Sequence, residues 1–206
     1  MTPVLIAFIG VLLMPLFVAS WRLDISGLAL QALLMAWTAY ELHPTFDTVG
    51  SLITVFDLVV VRGLVAPVAL YAVLRSQGAA SRGDVIPPNL MSWTLAVSSV
   101  LVAFRFADML VPGPVADHSL VASATTAILL GMLVLATQTG PFSQMVGALR
   151  IENGIAMFEL HGHHDPAMQI AQTIILIATI LLFRWYLKTL PRPDAAKPSA
   201  VEGTLL

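Results

Sequence analysis

The sequence contains no cysteine, so disulfide bonds and thiolate-held zinc or iron–sulfur sites are excluded. Charged residues are also scarce: they make up 11% of the chain, whereas a typical soluble domain has about a quarter. The net charge of −2 gives no reason to expect a nucleic acid as a partner. The chain is 58% hydrophobic, with a mean hydropathy of +0.88. This composition predicts an integral membrane protein embedded in a lipid bilayer.

Motifs of common enzyme sites are missing as well. The sequence has no phosphate-binding loop, dinucleotide fingerprint, nucleophile elbow or haem ligand set. We therefore expect no catalysis from this chain alone, and no cofactor bound to it.

Seven apolar runs are separated by proline, glycine and polar residues, which end helices. A helix needs about 20 mostly apolar residues to cross the hydrocarbon core. We expect an all-α polytopic membrane protein, a bundle of about seven transmembrane helices. Residues 1–190 would form one domain, and the Pro- and Ala-rich residues 191–206 a disordered cytoplasmic tail. The predicted spans are Val4–Ser20, Ile25–Leu42, Leu52–Leu74, Asn89–Leu110, Ser119–Gln138, Phe142–Leu160 and Ala167–Leu187, with Trp21–Asp24 among the breaks.

The first run could be taken for a signal peptide, but no Lys or Arg precedes it. We expect it to be retained as the first span, with cleavage as the alternative.

Positive charge gathers on one side of the seven-span arrangement, and acidic residues gather on the other. Because Lys and Arg mark the cytoplasmic side, we expect the N-terminus outside and the C-terminus in the cytoplasm. The membrane would be the bacterial or archaeal cytoplasmic (inner) membrane. The basic residues are Arg22, Arg75, Arg82, Arg184, Lys188, Arg192 and Lys197; opposite them are Glu41, Asp47, Asp117 and the His161–Asp165 loop.

Arg62 lies near the middle of the third span, where a guanidinium needs an acidic partner at similar depth. Asp57 is five residues away, so on an α-helix the two side chains point in different directions. Glu152 of the sixth span is the predicted partner. The pair is either part of a buried polar track or a fixed structural salt bridge. Pro67 is expected to weaken the backbone hydrogen bonds of the third span.

Other polar groups favour structural roles. The amide of Gln31 in the second span is satisfied by a neighbouring helix in many such cases. Arg105 and Asp108 are three residues apart near a helix end and predict a local ion pair. The fifth span is rich in small residues, which favours close helix packing.

The sixth span carries Arg150, Glu152, Asn153 and Glu159. Ionisable groups at mid-membrane cost roughly 2.5–3.5 kcal/mol each and usually face protein or water. Glu152 and Glu159 are seven residues apart and share one face, which predicts a chain of proton acceptors. The alternative is that Glu152 only neutralises Arg150 or Arg62.

Gly147 and Gly154 narrow the same helix, which favours access by water or by another subunit.

Three histidines and an aspartate follow in His161-Gly162-His163-His164-Asp165. The spacing is not a recognised metalloenzyme signature. We interpret His161, His163 and His164 as a polar turn that would collect protons, because histidine titrates near neutrality. We assign no metal ligands, and a metal site in this loop is the alternative that the spacing leaves open.

The stretch GALRIENGIAMF, with Glu152-Asn153-Gly154, resembles the E-type membrane component of hydrogenase-4 and its formate hydrogenlyase-like relatives. Arg62 and Pro67 in VRGLVAPVALYAVLR match a second pattern of that family. The family is similar to the small K-type subunit of respiratory complex I. Gln31 and Thr173 depart from it, because related subunits carry acidic residues there.

The resemblance implies a non-catalytic membrane subunit of a redox-driven, proton-translocating oxidoreductase complex. Its partners would be antiporter-like and quinone-module-like membrane subunits, and partner subunits would hold Fe–S clusters and a NiFe centre. Alternatives are a structural or assembly subunit and a subunit of a multi-subunit cation/proton antiporter. The proton path would use Glu152, Arg62, Glu159, Asp57 and Gln31, supported by Asn153, Gly154, Arg150 and the three loop histidines.

Overall fold

Helices account for every regular element in the part of the chain that the structure describes. This computed structural model describes residues 3–18, 20–42, 44, 48–76, 90–111, 115–160 and 166–189. Three of the elements, which together cover Val49–Ser76, follow one another without a break: α3, a π-helical segment and α4. The elements are α1 (Pro3–Phe17), α2 (Trp21–Leu42), α3 (Val49–Phe56), a π-helical segment (Asp57–Val65), α4 (Ala66–Ser76), α5 (Leu90–Leu110), α6 (Val115–Thr137), α7 (Pro141–Glu159) and α8 (Pro166–Thr189).

Each of the seven predicted apolar runs coincides with a helical stretch, which confirms the all-α prediction. The predicted break at Trp21–Asp24 is wrong, because α2 begins at Trp21. The backbone N–H of Asp24 already donates to the Ser20 carbonyl at 3.1 Å. No proline or glycine stands between those two residues to oppose a helix.

Four helical stretches within the described ranges are long and apolar enough to cross a membrane. Helix α1 is apolar but has only 15 residues. Helices α2 and α7 reach 22 and 19 residues but carry more polar side chains. The four apolar stretches are Val49–Arg75, Leu90–Leu110, Asp117–Thr137 and Pro166–Thr189.

Aromatic contacts show which helix ends lie together. Phe17 at the end of α1 stacks on Trp93 at the start of α5, with ring centroids 4.2 Å apart. Trp21 at the start of α2 meets the edge of Phe142 at the start of α7, at 4.5 Å. Leu187, near the end of α8, belongs to the same buried cluster as Phe142. We call this the basic end, because it carries Arg22, Arg75, Arg184 and Lys188; the opposite end is the acidic end.

Helices α6 and α7 approach each other closely along a glycine seam. A Cβ atom added to Gly154 would lie 2.8 Å from Ile128 Cγ1 and 3.1 Å from the Ala124 carbonyl oxygen. One added to Gly147 would lie 3.0 Å from Leu135. The prediction that these glycines admit water is therefore wrong, because the backbone of α6 fills that space. The predicted packing role of the small residues in α6 is confirmed by its contacts with α1, α5 and α7.

Candidate functional site

Asp57 and Arg62 form a buried ion pair within one helix. Arg62 Nε donates to Asp57 Oδ2 at 2.6 Å, and Arg62 is only 2% exposed. On an α-helix, five residues at about 100° each would leave the side chains about 140° apart. The segment is instead π-helical, with i to i+5 hydrogen bonds that bring the two residues into line. The prediction that they diverge is wrong for this reason.

The π geometry ends two residues before Pro67. Proline has no N–H to donate, and its ring clashes with the carbonyl four residues earlier. The expected disturbance of the backbone hydrogen bonds therefore coincides with the turn that holds the ion pair.

Two further helices contribute to this central pair. Arg62 Nη1 donates to Asn153 Oδ1 of α7 at 3.0 Å. Thr173 Oγ1 of α8 donates to Asp57 Oδ1 at 2.7 Å. The predicted pair between Arg62 and Glu152 is not formed, because Asn153 is the α7 residue that faces the guanidinium. One residue along an α-helix turns the side chain by about 100°.

Two small cavities adjoin the central pair. The outer cavity has a volume of about 20 Å³, and the inner cavity about 10 Å³. A single water molecule needs about 10–15 Å³, so each is of the size that holds one. The outer cavity is lined by Thr54, Asp57, Leu58, Ala156, Glu159, Leu160, Gln169 and Gln172. The inner cavity is lined by Leu28, Arg62, Ala66, Leu149, Asn153 and Leu176.

The order of residues along three helices fixes the arrangement. Along the continuous helix formed by α3, the π segment and α4, Thr54 of the outer cavity precedes the central pair, and Ala66 of the inner cavity follows it. On α8, the outer-cavity residue Gln169 likewise precedes Thr173, and Leu176 follows. Helix α7 runs in the opposite direction and shows the reverse order. The pair therefore separates a cavity on the acidic side from a cavity on the basic side. We call the cavities and the pair the polar column.

Arg62 is not fully satisfied by protein atoms. Its Nη2 has no hydrogen-bond partner among the described residues, and Arg62 lines the inner cavity. An unpartnered buried donor beside a water-sized space favours an internal water molecule there.

Gln31 lies at the level of the central pair and is fully buried. A Cβ atom on Gly63, next to Arg62, would lie 3.8 Å from the Cβ of Ala32, the residue after Gln31. Neither the Nε2 nor the Oε1 of Gln31 has a hydrogen-bond partner in the described part of the chain. The expected satisfaction of this amide by a neighbouring helix is therefore wrong.

A second buried arginine, Arg150, faces α1 and α2 and not the central pair. Its Nη1 donates to the Val11 carbonyl at 3.1 Å, and its Nη2 would lie 3.2 Å from a Cβ on Gly27. Asp24 lies three residues before Gly27 on the same face of α2, and both Asp24 and Arg150 are fully buried. Sequence reasoning missed Asp24 because it placed this residue in a break. The absence of a helix breaker from Trp21 to Asp24 was the available signal.

The two carboxylates of α7 have different surroundings. Glu159 lines the outer cavity, and its Oε1 is buried without a hydrogen-bond partner among the residues described. Glu152 lies on a partly exposed side of the helix. It lines neither cavity and forms no ion pair with any described residue. Of the two predicted proton acceptors, Glu159 belongs to the polar column and Glu152 lies outside it.

The remaining predicted groups lie away from the polar column. Asp108 contacts His118 Nδ1 at 3.4 Å and does not pair with Arg105, so that predicted ion pair is wrong. The residues His161, His163 and His164 lie outside the described residues. In the ranges that are described, no group of three or more His, Asp or Glu side chains is placed to hold a metal ion.

The polar column has the chemistry of a proton-handling site. Asp57 and Glu159 can accept protons, Thr173 can donate and accept, and Arg62 stays charged. Two water-sized cavities would complete hydrogen-bonded connections on both sides of the pair.

No family model, curated protein or solved structure matches the chain. The resemblance to the hydrogenase-4 component therefore depends on the motif residues alone. Two of them, Arg62 of the central pair and Asn153 of α7, are joined by a hydrogen bond.

Proposed function

We propose that this chain is a seven-span membrane subunit of a hydrogenase-4-like or complex-I-like complex, and that its polar column carries protons or couples to their movement. The observation that carries the proposal is the central pair: a buried Asp57–Arg62 pair on a π-helical turn, between two water-sized cavities. π-helical turns are frequent at functional sites.

Seven spans are favoured by the way the three remaining helices pack. Helix α1 contacts α6, α2 contacts the π segment and α4, and α7 contacts α6 and α8, so each of the three packs against an apolar stretch. The end of α1 meets the start of α5, and the start of α2 meets the start of α7. Asp24 of α2 and Arg150 at the middle of α7 are fully buried in the bundle and would not face lipid. Glu152, the other charged group near the middle of α7, is partly exposed. The basic end would lie in the cytoplasm of a bacterial or archaeal cell.

The central pair supplies a two-state element. When Asp57 takes up a proton, it loses its charge and its attraction to Arg62, whose guanidinium cannot release a proton. Arg62 keeps its hydrogen bond to Asn153 in either state. A change of charge elsewhere in the complex would therefore change how often the Asp57 carboxylate carries a proton. Glu159 would exchange protons between the outer cavity and the acidic end.

Oxidation and reduction would take place in partner subunits. The absence of cysteine leaves this chain without ligands for an iron–sulfur cluster. By the resemblance, Fe–S clusters and a NiFe centre would belong to other chains, which contact the polar column through antiporter-like and quinone-module-like membrane subunits.

Replacement of Asp57 by Asn tests this proposal. Asp57→Asn keeps the shape of the side chain but cannot hold a negative charge, and its amide can accept only one of the two hydrogen bonds that Arg62 and Thr173 donate to Asp57. We expect redox-driven proton translocation in inverted vesicles to fall at least tenfold, while the complex still assembles. Asp108→Asn is the matched control, because the Asp108 side chain is 54% exposed and lies outside the column. Unchanged translocation in Asp57→Asn would refute a role of the column in proton movement.

A structural subunit is the second candidate, because the same contacts join three helices. Arg62 links the π segment to α7, and Thr173 links α8 to Asp57. If this is the whole function, Asp57→Asn should reduce the amount of co-purified partner chains in proportion to the lost activity. Equal amounts of partners in variant and wild type would exclude this explanation.

A further inference from the structure

Glu152 lies on a face of α7 that the described helices cover only in part. The other sides of α7 are occupied: Gly154 packs against α6, Arg150 faces α1 and α2, and Asn153 faces the π segment. The most exposed side in the middle of α7 carries Ala148, Glu152 and Ile155, which we call the open face. Ile155 is 40% exposed, and both Ala148 and Glu152 are partly exposed.

The position of Glu152 makes this exposure unusual. Helix α7 runs from Pro141 to Glu159, so Glu152 lies close to its middle. In a membrane, a carboxylate at that depth is retained where it faces protein or water and is strongly disfavoured against lipid. No described residue of this chain forms an ion pair with it.

Exposed faces elsewhere on the bundle differ in chemistry. On α8, the exposed residues Ile174, Ile175 and Leu181 are apolar, and they suit contact with lipid chains. The middle of α5 is similar, with Leu101 and Val102. The open face of α7 combines an acidic group with a small residue, and small residues allow another helix to approach closely.

We infer that the open face docks a transmembrane helix of another polypeptide that carries Lys or Arg opposite Glu152. Charge complementarity selects this occupant, because a basic side chain neutralises the carboxylate and donates hydrogen bonds to it. A second copy of this chain, packed through the same face, would oppose two Glu152 carboxylates of like charge. The inference rests on the proposed membrane placement of α7.

The test places a photoreactive benzophenone amino acid at position 155 of the full chain in its native membrane. Ile174 on α8 is the matched control position, since it is the same residue type and is 61% exposed. We expect one discrete polypeptide adduct from position 155, on an apolar helix with Lys or Arg within one turn of the cross-link. Position 174 should give at least tenfold less of any polypeptide adduct.

A charge exchange then tests the ion pair itself. Glu152→Lys should reduce the adduct at position 155 at least tenfold, and replacing the basic residue of the partner by Glu should restore it. Glu41→Lys, at the acidic end of α2, is the control and should leave the adduct unchanged. An adduct with a second copy, an adduct within this chain, or adducts with lipid alone would each overturn the inference.

A cysteine at position 155 separates this inference from the proposed function. The natural chain has no cysteine, so Ile155→Cys provides one unique thiol. One outcome is that the thiol at position 155 does not react with a membrane-impermeant maleimide in permeabilised cells, while the benzophenone at position 155 gives adducts with lipid only. That outcome overturns the docking inference and leaves the membrane placement standing. Rapid labelling of this thiol in intact, detergent-free membranes overturns both.

Discussion

Helix α7 takes part in two contrasting junctions. Against α6 it forms the glycine seam, where Gly147 and Gly154 bring two backbones together without polar side chains. Against the π segment and α8 it forms the polar junction, where Asn153 meets the central pair and the packing leaves two cavities. Close packing fixes the position of α7, while the polar junction keeps charge and space available beside it. One helix thus combines a closely packed side with a side that borders buried charge and two water-sized cavities.

Removing the Arg62 side chain should lower the free energy of unfolding the most, because it removes the ion pair of the polar junction and leaves the glycine seam intact. Arg62→Met leaves the buried Asp57 carboxylate without its ion-pair partner, which costs about 3–5 kcal/mol. The free energy of unfolding of the purified chain in detergent measures this loss. The double variant Asp57→Leu with Arg62→Met should recover most of it, because no buried charge remains. Equal losses in the single and double variants would contradict the account of a buried ion pair.

Removing the hydroxyl of Thr173 should weaken the same junction less. Thr173→Val keeps the shape but loses the hydrogen bond to Asp57, which is worth about 1.5–3 kcal/mol when one partner is charged. Thr137→Val is the control, since the Thr137 hydroxyl donates only to the Leu133 carbonyl of its own helix. Both are compared by thermal unfolding in detergent, and a loss as large in Thr137→Val would argue against a special role for Thr173.

A methyl group in the glycine seam should have the smallest effect. Gly154→Ala crowds Ile128 and the Ala124 carbonyl and costs about 1–3 kcal/mol by overpacking. The higher helix propensity of alanine offsets about 1 kcal/mol of this loss. Gly10→Ala is the matched control, because nothing lies within 4 Å of its added Cβ. The control should be slightly stabilised and Gly154→Ala destabilised, and stabilisation of both would show that the seam is not tightly packed.

The helices themselves were predictable from the sequence. Pro141 opens α7 and Pro166 opens α8, as expected for residues that favour the first helical turn. The start of α2 was not predicted, because a charged pair, Arg22 and Asp24, suggests an interface and not a buried turn. Whether such a pair is exposed depends on its neighbours in space.

The polar partners were harder to predict, because they depend on helix rotation and on one π-helical turn. Sequence spacing identified Arg62 and the polar segment around Glu152 correctly as a meeting point. It did not distinguish Glu152 from Asn153, since a rotation of about 100° exchanges their positions. The pairing of Asp57 with Arg62 requires a backbone hydrogen-bond pattern that residue spacing alone does not reveal.

The contact between Asp57 and Arg62 also depends on the π-helical geometry of the turn that carries both residues. If the segment Asp57–Val65 rewound into an α-helix, the five-residue spacing would again separate the two side chains by about 140°. The carboxylate would then lose its cation without any change in protonation. Unwinding of the π-helical turn and loss of the contact between Asp57 and Arg62 would therefore occur together.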